Sequence, residues 1–187
     1  IFFFTLILIN KKVKETFNLN NAKIKNTDYI FIHIPKNAGT SFCKKYCVGQ
    51  VGHAIAKIYN IDQLKKSIAI IRNPYDRIIS CYNYFKMNNN YWKQKYGLPQ
   101  HHVFCKNNSI KKFIDFLYSK KLTFDIHLQK QVYFLQKDGI IYTKLLKLEN
   151  INDDFKRIFN KNIDLSKIKK SKKFEKSLDN EDKEKVY

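Results

Sequence analysis

The chain has 187 residues, 44% of them hydrophobic and 15% aromatic, and a formal net charge of +20. That length suits one domain, and the composition excludes a disordered or fibrous chain. The charge favours anionic partners, whether nucleic acid, acidic membrane, acidic glycan or an anionic cosubstrate. It does not choose among them: the basic residues are mostly lysines scattered among Asn and Ile, a mixture that an AT-rich coding sequence also produces.

In chain order, Ile1–Ile9 is apolar and is followed by Lys11-Lys12. A membrane span needs about 20 residues, so this piece alone does not make one. It reads as the tail of a signal anchor, the remnant of a signal peptide, or a core segment, with membrane association expected for the first. Residues 11–27 are rich in Asn and Lys and read as a polar linker. Residues 28–187 read as a single domain, whose last helix starts near Leu178 and is expected to continue past Tyr187.

Tyr29–Ile34 is a short run of β-branched and aromatic residues stopped by Pro35, the pattern of a buried strand. A small polar loop follows, Lys36-Asn37-Ala38-Gly39-Thr40-Ser41, and then a stretch compatible with helix from Ser41 to about Cys47. Strand, small-residue loop and helix together aim backbone N–H groups at one point, which suits an anion. The loop is not a GxxxxGK[ST] phosphate loop. His33 reads as a packing residue behind it. The glycines of residues 48–54 mark a turn carrying His53, and Ala54–Tyr59 is expected to begin a helix.

A second strand, Ile68–Ile71, ends in Arg72. Asn73 suits a helix cap, Pro74 the first helical position and Asp76 the first turn. Only three of the 36 basic residues are arginine, Arg72, Arg77 and Arg157. Where lysine is the default, two arginines within six residues point to a need for the guanidinium fork. Ser80 lies on the helix face of Arg77. Residues 88–99 read as loops among aromatics. Ser109 is placed to cap an amphipathic helix through Ile110, Phe113, Ile114 and Leu117. Ile140–Leu148 reads as a strand, Asn150–Phe159 as a helix and Lys167–Lys173 as a basic run. Cys43, Cys47, Cys81 and Cys105 match no zinc spacing and read as small buried hydrophobes, with a disulfide left open. No metal site is expected at His101-His102.

The segments HIPKNAGTS (33–41) and RNPYDRIISCY (72–82) resemble the two cosubstrate motifs of sulfotransferases that use 3′-phosphoadenosine 5′-phosphosulfate (PAPS). The similarity is greatest to the carbohydrate branch, which includes heparan 2-O-sulfotransferases and small microbial and viral relatives. It covers 29–85 most clearly and is traceable to the end of the chain. The resemblance implies a P-loop-like three-layer α/β fold, with a central, mostly parallel sheet flanked by helices. It implies PAPS as sulfuryl donor, no metal, and a hydroxyl acceptor on a carbohydrate, such as an acidic glycan. Lys36 is then catalytic. Lys36, Asn37, Ala38, Gly39, Thr40 and Ser41 bind the 5′-phosphosulfate, while Arg72 and Ser80 bind the 3′-phosphate, with Lys172 from the late basic run. Arg77 either assists them or braces its helix. His53 is implied as the base on the acceptor, its alternative being an ordinary loop histidine. His127 and Gln131, one helical turn apart, are implied as acceptor or cosubstrate contacts. Many relatives have Thr-Gly or Ser-Gly where this chain has Asn37-Ala38.

Other readings compete. A P-loop-type kinase lacks both its phosphate loop and an acidic metal site here. A basic polyanion binder without catalysis has the charge but no recognisable nucleic-acid module, so no specific nucleic acid is expected.

Overall fold

The computed structural model describes residues 19–87, 100–119, 125–163 and 177–186. They fall into two compact units, one built from the chain up to Ile71 with Lys130–Ile168, the other from Arg72–Gln129 with Lys169–Tyr187.

The first unit holds a parallel sheet in the order β1 (Ile30–Ile32), β2 (Ser67–Ile71), β5 (Lys144–Lys147). Phe31 lies beside Ile68, and Ala69 beside Leu145. Residues 30–32 and 67–70 are buried throughout, which requires cover on both sheet faces and explains their unbroken apolar composition. Two helices share an aromatic seam with β1. Phe42 of α2 (Gly39–Tyr46) stands 4.5 Å from the Phe31 ring and 6.2 Å from Phe155 of α8 (Ile151–Phe159). Phe155 in turn meets Phe159 at 4.6 Å. The architecture is the expected α/β class, a parallel sheet with flanking helices.

The described end of the polar stretch 11–27 is structured. It forms α1 (Leu19–Ala22), buries Ala22 and Ile24, and bridges Lys23 to Ile30 and Ile24 to Cys47. The expected strand 140–148 divides. Ile140–Ile141 is β4, which pairs antiparallel with β3 (Gln136–Lys137), and only 144–147 joins the main sheet. The positive φ of Asp138 and Gly139 closes the tight turn between β3 and β4, the conformation an Asp-Gly pair favours. The helix expected from 54 to 59 is a 3-10 turn, Ala56–Ile58, followed by α3 (Ile61–Lys65).

The second unit is helical: α4 (Pro74–Lys86), α5 (Gln100–Asn107), α6 (Ile110–Tyr118) and α9 (Asn180–Val186). Its core joins Tyr82, Phe85, Cys105, Phe113, Ile114 and Leu178. The Asn73 side chain accepts from Tyr75 N–H at 2.9 Å and Ser109 accepts from Lys112 N–H at 3.4 Å, as the sequence suggests. Tyr82 donates its buried hydroxyl to Asn108 O at 2.7 Å. Surface ion pairs from Lys111 to Glu181 and from Lys185 to Asp115 join α9 to α6, and solvent screening keeps their contribution to stability small. All four cysteines are buried and free. Among the described residues no helix is long and apolar enough to cross a membrane; Ile1–Ile9, with its three readings as anchor tail, signal-peptide remnant or core segment, lies outside them.

Phe42 closes the seam between sheet and helices, so Phe42→Ala should lower unfolding stability by about 3–5 kcal/mol. Chemical denaturation of the purified protein measures this.

Candidate functional site

The loop that follows β1 is built from strained backbone. Lys36 and Ala38 both adopt the left-handed conformation, with φ of 67° and 61°. Each costs roughly 1–2 kcal/mol in a residue with a Cβ. Ala38 is also the residue before α2, and its carbonyl accepts from the N–H groups of both Ser41 and Phe42 at 3.1 Å. No side chain caps this helix. The first-turn N–H groups and the positive end of the helix dipole are therefore presented to whatever lies beyond the loop.

Asn37 holds that loop. Its side chain is fully buried, and Nδ2 donates to Ile70 O of β2 at 2.8 Å and to Gln131 Oε1 at 2.6 Å. The side chain of Asn37 thus points into the sheet rather than toward a ligand. Only its backbone can serve the anion role expected of the loop.

Gly39 is required by a close approach. A Cβ there would lie 2.0 Å from Cδ2 of His33. His33 is buried, and its Nδ1–H donates to Val51 O at 2.9 Å. On its other side it meets the His53 ring, with centroids 4.3 Å apart, and His53 Nδ1 donates to His33 O at 3.2 Å. His33 therefore supports the loop as expected and also carries His53. Donation from Nδ1 leaves Nε2 as the basic nitrogen of a neutral His53, the tautomer a general base needs. Beside these residues a cleft of about 250 Å³ is lined by His33, Thr40, Lys44, Gln50 and Lys25, among others. The first unit thus brings together Lys36, Asn37, Ala38, Gly39, Thr40, Ser41, His53 and Gln131.

The second unit carries Arg72, Ser80 and His127. Arg72 and Ser80 are half-buried, the first directly after β2 in the chain and the second on α4. Arg77 is buried and its Nη2 donates to His127 O at 2.9 Å. Cys81 Sγ–H reaches the same carbonyl at 3.2 Å. Of the two expected roles for Arg77, the observed bonding is the bracing one. His127 does not share a helix with Gln131. It lies in a 3-10 turn, Ile126–Leu128, and the extended backbone at Gln129 and Lys130 separates it from α7 (Gln131–Leu135). The two residues belong to different units. Lys172 lies outside the described residues.

Asp125, which the sequence reading passed over, organises this turn. It accepts from His127 N–H at 2.7 Å, from His127 Nδ1 at 2.8 Å and from His101 Nε2 at 2.9 Å. Burial opposes its ionisation, but the hydrogen bonds from His101 and His127 outweigh it and hold the carboxyl well below the usual carboxylate range. The D-x-H spacing at 125–127 is the signal that was available. His102 is buried beside His101. Burial first, then the His101 charge, pulls it down to about 4. Among the described residues no group of histidines, cysteines and acids is arranged to hold a metal.

A parallel sheet whose first strand runs into a left-handed loop and an uncapped helix defines an α/β protein. A sequence model of the sulfotransferase family matches residues 24–185. The chain belongs to that family. No curated protein and no solved structure matches it.

Three outcomes follow. Ala38→Gly relieves a left-handed Cβ and should stabilise the protein by up to about 1 kcal/mol, read as a raised melting temperature. Gly39→Ala should displace His33 and destabilise the protein by about 1–3 kcal/mol, read by chemical denaturation. His102 is kept neutral by the fold, so its contribution is complete above the ordinary value of 6.5 and is lost as pH falls toward about 4. Melting temperature should therefore drop between pH 7 and pH 5 in wild type, by the equivalent of about 1–3 kcal/mol, and drop less in His102→Gln. The Asp125 contribution has the same sign but is lost only below its ordinary carboxylate range, outside that window.

Proposed function

We propose that this chain transfers a sulfuryl group from PAPS to a hydroxyl of a carbohydrate acceptor. The observation that carries the reading is the 36–41 loop. Two left-handed residues, a lysine and a glycine packed without a Cβ on His33 lead directly into an uncapped helix N-terminus, and this supports the reading. A multiply charged phosphosulfate fits that donor set. Family membership supports the transfer of a sulfur-containing group.

PAPS supplies the sulfuryl group: the bond from sulfur to the bridging oxygen breaks as the acceptor oxygen bonds to sulfur. Lys36 neutralises the charge that grows on the departing phosphate. The N–H groups of residues 37–40 and the hydroxyls of Thr40 and Ser41 hold the 5′ end. Such preorganised charge is the main catalytic device where a transferred group carries most of the charge itself. By the family resemblance, Arg72 and Ser80 hold the 3′-phosphate. His53, oriented by the His33 carbonyl, takes the proton of the acceptor hydroxyl at Nε2. Lys25 and Lys44, lining the adjoining cleft, favour an acidic glycan as acceptor. No metal is needed for this chemistry.

Titration with 3′-phosphoadenosine 5′-phosphate (PAP), and with ADP and AMP as controls, tests the reading. PAP should bind at least about tenfold more tightly than ADP, and Arg72→Ala should abolish that difference, ~1.4 kcal/mol. Equal binding of PAP and ADP by the wild type would overturn the reading in favour of a polyanion binder, whose affinity falls steeply with salt.

A further inference from the structure

We infer that Gln131 is a positioning residue of the donor loop, acting through Asn37 rather than by touching donor or acceptor. This deepens the sulfotransferase reading and rests on it for the donor's identity. Three observations carry it. The loop around Asn37 is in a conformation its own residues disfavour, since Lys36 and Ala38 on either side are left-handed. Such backbone persists only where the surroundings over-determine it. The Asn37 amide is the visible constraint: fully buried, it spends Nδ2 on a strand carbonyl at 2.8 Å and on Gln131 Oε1 at 2.6 Å. The second acceptor comes from α7, 94 residues away in sequence.

The remaining amide oxygen, Asn37 Oδ1, is buried without a hydrogen-bond partner. An amide tolerates that cost only if its other end is well used, and here both Nδ2 hydrogens have acceptors. Removing Gln131 Oε1 leaves one Nδ2 hydrogen of Asn37 without its acceptor, beside the already unpartnered Oδ1, and only the Ile70 carbonyl still holds the amide. The side chain then gains by rotating toward water, and residues 36–38 lose the contact that keeps them left-handed. The half-buried Gln131 itself sits at the first position of a short helix.

The experiment compares wild type, Gln131→Met, Asn37→Ala and the double variant, all in the full chain. In the ligand-free protein, hydrogen–deuterium exchange over residues 36–42 should speed up in Gln131→Met while that of 151–159 stays unchanged. This arm holds whatever the donor is, so its failure is separate from failure of the PAP titration. With PAP as probe, Gln131→Met should weaken PAP and ADP alike, by about 5–20-fold, leaving their ratio unchanged because the 3′-phosphate is read elsewhere. The double variant should bind PAP no more weakly than Asn37→Ala alone. If Asn37→Ala does not fold, the exchange and ratio measurements on Gln131→Met decide. Unchanged exchange at 36–42, an additive double variant, or a raised acceptor KM with PAP affinity intact would each overturn the inference.

Discussion

The buried hydrogen bond from Asn37 to the carbonyl of Ile70 fastens the loop after β1 to the middle strand of the sheet. The conformation of that loop depends on it. The backbone at Lys36 and Ala38 is uphill by itself, and the helix that starts at Gly39 has no side-chain cap to fix its entry. Without an anchor, the chain between strand and helix relaxes, and its N–H groups no longer converge. The second half of the anchor is His33, whose ring occupies the space a side chain at position 39 would need. One side chain pulls the loop onto the sheet and the other lets the helix approach it.

The same economy appears in the second unit. Arg77 has the reach and charge for a phosphate, yet it is buried and bonded to the carbonyl of His127. Burial lowers its affinity for its proton, but a guanidinium stays charged across any working pH. A backbone carbonyl bonded by a buried cation and a thiol is a fixed point. The turn it fixes also carries Asp125, whose carboxylate gathers two imidazoles. Scattered lysines give the chain its charge, while each of these arginine and aspartate contacts requires a specific geometry. Net charge therefore informs on the class of ligand, and the site is built from a few directed bonds.

Much of this was legible in the sequence, because the relevant signals are local. Apolar runs of β-branched residues made β1 and β2; Asn73, Pro74 and Ser109 marked helix starts; the lone glycine at 39 marked a close approach, and His33 was read as its support. Cysteines with no ligand spacing proved buried and free. Each of these depends on neighbours within a few residues, where propensity and sterics act directly.

What only the tertiary structure decided depends on residues distant in sequence. Whether the Asn37 amide faces ligand or sheet is set by Ile70 and Gln131, 33 and 94 residues away. The bond of Arg77 to His127 spans 50 residues. The break between His127 and Gln131 is a backbone event at Gln129 and Lys130 that no residue preference announces, and which partner the apolar run after Asp138-Gly139 pairs with, Gln136-Lys137 or the main sheet, is settled only by the register the strands adopt. Periodicity reports which residues seek burial; it carries no information on which buried polar group will find which partner. That pairing is fixed only when the fold closes and every unsatisfied donor and acceptor must be placed.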